Sequence, residues 1–381
     1  MTSRGFYTLL FGVLMLFTAL SVSSAGAFLL GAAALTCWLL ALLSVLLGAL
    51  TCKVSQSVGG GQTSRGSSCP YHLSLRMPVP APIAPLSLKV CLPSGRQSDF
   101  SLAANLFGVT ESDNSFSCPH VGVYPVGITQ ITFSDCFGLF SLRRKSPLPL
   151  VFVTVLPNPI ETEPLAVSPG EGESSTTQRA LADHSVPEDI RAWQDGDELK
   201  RVHWKLSMRR QSLMVHTYET PQRPDALVLL DCSAPKCAPA VRAALVDVLA
   251  EACAGTLKSL LEAGRATHLP LSPSGQGEFS GHDAQALPAM LRAVAAAGYS
   301  ETTDFSRVLW LASRRMQRTG STAILTTRLT PAVADAAIAL SRMGSKMRFT
   351  LVTAGEPSEE EAQLLHLLFA SGLETAHIRA A

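Results

Sequence analysis

Ala226-Leu227-Val228-Leu229-Leu230-Asp231-Cys232-Ser233-Ala234-Pro235 is a run of five apolar residues that stops at an aspartate and, four residues on, a proline. A short, continuously apolar run bounded by turn residues reads as a strand buried on both faces. Downstream, helical patterns over 240–262, 284–296, 305–318 and 332–343 are interleaved with strands over 322–325 and 348–353. This alternation predicts a doubly wound α/β domain over 223–381 with a mostly parallel sheet. Such sheets hold ligands at the carboxyl ends of their strands. Asp231 and Ser233 are therefore the candidate residues of that domain.

Immediately upstream, 181–222 carries the most distinctive stretch of the chain, Asp189 through Lys205, continuing by Met208-Arg209-Arg210 to Leu213-Met214-Val215. Gly196 suits a turn, and Asp195 or Asp197 is placed to cap a following helix. Asp195 with Glu198 three residues later is close to a capping box. On that helix Leu199, Val202 and Leu206 share one face, and Arg201 and Lys205 sit four apart on another. The basic residues between Arg191 and Arg210 are balanced by acidic ones between Asp183 and Glu219, which excludes a generic nucleic-acid patch. The cluster reads first as a buried ion-pair network and second as an anion or partner site. His203 beside Trp204 is a candidate base, but no Ser or Cys nucleophile is implied nearby, so a packed or hydrogen-bonded imidazole is the plainer reading.

Further toward the N-terminus, 161–180 is a polar, Pro- and Gly-containing loop without aromatics. Short apolar or alternating runs between residues 69 and 160, bounded by Pro, Gly, Asn and Ser, predict a small antiparallel β-sandwich. Residues 54–68, rich in Gly and Ser, read as a flexible tether. From Gly5 to Cys52 no Asp, Glu, Lys, Arg or His occurs. That run accommodates two membrane crossings of about 20 residues each, and residues 1–53 are predicted as a transmembrane helical hairpin with a turn near Ser21–Gly26. Arg4, Lys53 and Arg65 flank it, so the positive-inside bias puts both ends in the cytoplasm. The competing reading is a cleaved signal peptide ending near Ser24-Ala25-Gly26.

The formal net charge of +1 argues against a strongly basic nucleic-acid binder. Nine cysteines occur without a CxxC, which fits reduced thiols better than a disulfide framework. Pairing among Cys69, Cys91, Cys118 and Cys136 stays open if that region is secreted.

Two motifs carry a resemblance. Arg191, Gly196-Asp197, Arg201, Trp204-Lys205, Arg209 and Leu213-Met214-Val215 resemble the signature of the DUF58 family, bacterial proteins of unassigned biochemical role. Trp193 stands where Tyr is usual, Val202 where Ile is usual and Met208 where Ala is usual. Upstream, Asp135-Cys136-Phe137-Gly138-Leu139-Phe140 resembles the family's Asp-Pro-Phe-Gly-Leu-Phe, with Cys136 replacing Pro. The strand ending in Asp231-Cys232-Ser233 looks like the start of a von Willebrand factor A domain, where Asp-x-Ser-x-Ser begins a Mg²⁺ site. Here Pro235 replaces the second Ser, and Thr327 stands where a metal-site Asp is common, so no metal or a weak Mg²⁺ site is expected.

The resemblance implies a multidomain, multi-pass protein of the bacterial inner membrane. Its soluble domains would be cytoplasmic, and it would act as a non-enzymatic scaffold with a MoxR-type AAA+ ATPase or a transglutaminase-like membrane protein. The alternative is a metal-dependent or hydrolytic enzyme at the strand end near Asp231, for which the chain offers no G-x-S-x-G elbow, H-E-x-x-H helix or P-loop.

Overall fold

The computed structural model describes residues 2–77, 83–93, 97–103, 108–162, 187–193, 202–218, 225–271, 277–300, 302, 304–316, 319–342 and 346–380. The chain divides into two units, Met1–Asn158 with Val294–Gly298, and Pro159–Ala293 with Tyr299–Ala381.

The first unit begins with helices α1 (Ser3–Val22) and α2 (Ala25–Thr51), both long and apolar enough to cross a membrane. Ser23, in the left-handed region, and the Ser24 cap make the turn between them. Small residues let the two backbones approach. A Cβ on Gly31 would stand 3.0 Å from the Leu16 nitrogen and 3.1 Å from the Gly12 oxygen, the contact type expected of helices packing in lipid. At the other end the Trp38 indole N–H donates to the Gly5 carbonyl at 3.0 Å. At 20 and 27 residues, the helices are about 30 and 40 Å long, so α2 outreaches α1.

That extra length is embedded in protein. Ala41, Val45 and Ala49, at helical spacing on one side of α2, join the core of a β-domain. The domain comprises β1 (Lys53–Val58), β2 (Gln62–Ser64), β3 (Ser68–Met77), β4 (Leu86–Cys91), β5 (Gln97–Leu102), β6 (Gly108–Ser117), β7 (Gly122–Ser134), β8 (Ser141–Lys145) and β9 (Val151–Leu156). One sheet has the order β1-β3-β6; the other runs β2-β9-β7-β4-β5, with β8 also on β7. Period-two burial explains the shared core: Tyr71, Leu73 and Leu75 from β3 meet Leu86, Leu88 and Val90 from β4. The pairing is antiparallel except between β2 and β9.

The expected tether over 54–68 is not there. β1 starts at Lys53, directly after the α2 cap residue Cys52, and pairs with β3 along its whole length. Gln56 holds it down, accepting from the Tyr71 hydroxyl (3.0 Å) and the Ile128 N–H (2.9 Å) and donating to the Pro149 carbonyl (2.8 Å). Gly59, Gly60 and Gly61, read as linker, instead form the turn between β1 and β2, with Gly60 and Gly61 at positive φ.

In the second unit, β10 (Pro187–Ala192) and β11 (Met214–Tyr218) pair antiparallel, with α3 (Trp204–Arg210) between them in sequence. Then come β12 (Ala226–Leu230), α4 (Pro239–Glu262), β13 (Thr267–Pro270), β14 (Glu278–Gly281), α5 (Leu287–Ala296), α6 (Phe305–Met316), β15 (Ser321–Thr326), α7 (Pro331–Ser341), β16 (Lys346–Thr353), α8 (Glu359–Ala370) and β17 (Glu374–Arg379). The sheet order is β14-β13-β12-β15-β16-β17, parallel throughout except for β14. Every residue of β12 and β15 is buried, as a strand covered on both faces requires. Leu227 and Leu229 pack with Phe305, Leu309, Val333 and Leu368 from three helices.

The strand order runs outward in both directions from β12, so the switch point lies between the carboxyl ends of β12 and β15. A crevice at that position is where such sheets bind ligands.

Candidate functional site

Two places in the second unit carry the residues singled out above. The first is the basic motif. Gly196, Asp197 and Arg201 lie outside the described residues, as does most of the polar loop 161–180. Arg191 is in β10, paired with Val215.

The expected caps Asp195 and Asp197, and Glu198, lie outside the described residues. The described helix α3 begins at Trp204, and His203 is its cap, with Nδ1 accepting from the Leu206 N–H at 3.1 Å. Val202 therefore precedes the helix, and it is buried there. Accepting at Nδ1 places the imidazole in a local structural bond rather than in the position of a free base.

Ser207, which the sequence did not single out, ties α3 to the following strand. Its hydroxyl donates to the His203 carbonyl (3.0 Å) and accepts from the Met214 N–H (2.8 Å). The His203 N–H donates to the Met214 carbonyl (2.8 Å), and the Trp193 N–H to the Leu213 carbonyl (2.8 Å). Gln211, at φ 52°, ends the helix in the left-handed region.

The segment is thus closed by backbone and short polar side chains. The long side chains of α3 point outward: Trp204 is 60% exposed and Met208 82%, and Lys205, Arg209 and Arg210 are exposed as well. The expected buried ion-pair network does not hold for Lys205 and Arg209.

The second place is the strand end. Asp231 is buried, with 2% of its surface exposed. Its Oδ1 accepts from the Ser233 N–H at 2.9 Å, and its Oδ2 from the Thr326 hydroxyl at 2.6 Å. The Thr326 oxygen in turn accepts from the Arg328 N–H at 3.0 Å. A carboxylate with a partner on each oxygen joins the ends of β12 and β15, as a buried charge must be satisfied. Among the described residues the buried Thr327 hydroxyl has no hydrogen-bond partner.

A Mg²⁺ ion asks for several hard oxygens, usually with more than one carboxylate. Of the residues that the resemblance brings to this site, Asp231 is the one carboxylate, both of its oxygens are engaged, and Pro235 offers no side-chain oxygen. These residues do not fit the ion, and among the described residues no group of three His, Cys, Asp or Glu could hold a metal. Nearby, burial pushes the Cys253 thiol and the Tyr299 hydroxyl well above their ordinary pKa values. A thiol so protected stays protonated and inert.

Thr326 could have been found from sequence, since a threonine ending an apolar strand beside an Asp-terminated one is a ready partner. Ser207 left no such signal, because its role depends on the strand that folds back onto the helix.

No curated protein matches the chain. Among solved structures, Cwp6 from Clostridium difficile aligns at 9% identity over 86% of this chain, with a TM-score of 0.20. The chain spans 37% of the length of that protein. The profile described as "Protein of unknown function DUF58" matches residues 189–377, from the β10 strand through the doubly wound sheet. The chain belongs to the DUF58 family.

Proposed function

We propose that this DUF58 protein is a membrane-anchored, non-enzymatic adaptor whose exposed α3 face docks a MoxR-type AAA+ ATPase at the bacterial inner membrane. In this reading the hairpin crosses the membrane twice, both soluble parts are cytoplasmic, and the doubly wound sheet is a von Willebrand factor A-like scaffold without its metal. A transglutaminase-like membrane protein is the second partner class. The observation that carries the proposal is the contrast within one motif. His203, Ser207 and Met214 are spent on local bonds, while Trp204, Lys205, Met208 and Arg209 stand exposed on the same short helix. Exposed aromatic and basic side chains on a rigid support are the usual anchors of protein interfaces.

The test is a crosslinked pull-down from native membranes, comparing the parent chain with a Trp204→Ala, Lys205→Ala variant of equal thermal stability. The ATPase is expected with the parent, in the presence or absence of chelator, and is expected to be lost in the variant. Equal recovery from both would make α3 a structural element only. Substrate turnover by the purified chain that disappears in Asp231→Ala would replace the adaptor reading with the enzymatic one.

A further inference from the structure

The Asp135–Phe140 turn is not used by the proposed function, yet it is closely organised. Asp135 is buried at 2% exposure; its Oδ2 accepts from the Phe137 N–H (3.0 Å) and its Oδ1 from the Phe140 N–H (2.6 Å). Gly138 sits at φ 69°, a conformation that glycine adopts without strain. The turn grips the base of the helical hairpin. The Thr2 hydroxyl donates to the Gly138 and Leu139 carbonyls (2.8 Å each), and the Thr2 N–H donates to the Leu139 carbonyl (3.0 Å). Phe140 packs edge-on against Trp38 with ring centroids 5.1 Å apart.

Inside so ordered a loop, Phe137 is 65% exposed. A turn that buries its carboxylate and clamps two helices spends that order on holding one phenyl ring outward. Charge lies beside it. The Arg4 guanidinium is 3.8 Å from where a Cβ on Gly138 would stand. The following strand, β8, is exposed along its whole length and carries Arg143, Arg144 and Lys145. Arg144 also donates to the Ala49 carbonyl at the end of α2 (3.0 Å). No acidic residue occurs from Cys136 to Leu156. An outward aromatic with unopposed basic residues, at the foot of two apolar helices, has the chemistry of the headgroup level of a bilayer.

We propose that the Asp135–Phe140 turn and the basic β8 edge form an interfacial anchor that seats the β-domain in the anionic headgroup layer, with Phe137 reaching the top of the acyl chains. This rests on the reading that the hairpin crosses the membrane. Arg4 lies beside the turn that carries Phe137, and Arg143 and Lys145 follow that turn on the exposed β8 strand.

The experiment uses the full chain in nanodiscs whose phospholipids are brominated near the top of the acyl chains. Trp38 is the internal control, because it stands at the foot of the hairpin; a Trp38→Phe variant identifies its share of the quenching. In Phe137→Trp, the added indole is expected to lose the larger part of its emission in phosphatidylglycerol discs. That loss should shrink in phosphatidylcholine discs and in Phe137→Trp combined with Arg143→Gln and Lys145→Gln. Quenching of Trp38 with none of the added indole would overturn the anchor and leave the hairpin reading intact. An equal loss in both lipids and in the charge variant would overturn the electrostatic part. Failure to quench even Trp38 would remove the membrane reading and the anchor together.

Discussion

At His203 an imidazole stands where Ser, Thr, Asp and Asn are the usual helix caps, and the sequence offered a base or a packed histidine instead. The cap depends on an unprotonated Nδ1 facing the Leu206 N–H. His203→Ala is expected to lower the stability of the second unit by about 1 kcal/mol, and His203→Asn to restore most of it, read from urea unfolding. Asp231 shows the opposite relation between sequence and structure. Its place at a strand end was legible from five apolar residues and an aspartate. Its use was not, because the hydroxyl that engages it is 95 residues away, on Thr326. A pattern read along the chain finds the carboxylate; only the parallel pairing of β12 with β15 finds its partner.

Among the elements, α4 illustrates what periodicity can miss. From Leu249 to Leu257 every residue of the helix is buried, so it lacks the two-sided pattern of a surface helix. One flank is closed by the segment that enters the second unit: the Ile160 N–H donates to the Glu251 carbonyl at 3.3 Å, and a Cβ on Gly255 would overlap the Ile160 carbonyl oxygen. Gly255→Ala must push two backbones apart. The expected cost is about 1–3 kcal/mol, measured as a lower urea midpoint with fluorescence of the second unit. Three strands that escaped the sequence reading share a physical trait. β14 and β17 are edge strands with polar, partly exposed faces, and β6 reads Gly-Val-Thr-Glu-Ser-Asp-Asn-Ser-Phe-Ser. A strand whose outward face meets water loses the apolar signature by which strands are found. The Gly- and Ser-rich stretch that became β1 and its turn misled for the related reason that glycine marks turns as readily as linkers.

On the scale of the whole molecule, the sequence separated a membrane hairpin from a β-domain, whereas in the fold they share a core. Ala41, Val45 and Ala49 of α2 are packed with Ile83, Phe133, Leu139 and Phe140. A fragment beginning at Lys53, the natural choice for a soluble preparation, would uncover that surface. It is expected to melt at lower temperature than the full chain in detergent and to bind a hydrophobic dye in its native state. Unchanged melting and no dye binding would mean that the β-domain closes its core without α2. The junction itself has a mechanical side. With Cys52 as the sole residue between the last turn of α2 and the first residue of β1, and Arg144 bonded to the end of that helix, the joint has no slack. Torque applied to the helices is delivered to the sheet as it would be through a keyed shaft, so any twist or tilt of the hairpin becomes a rotation of the domain fixed to it.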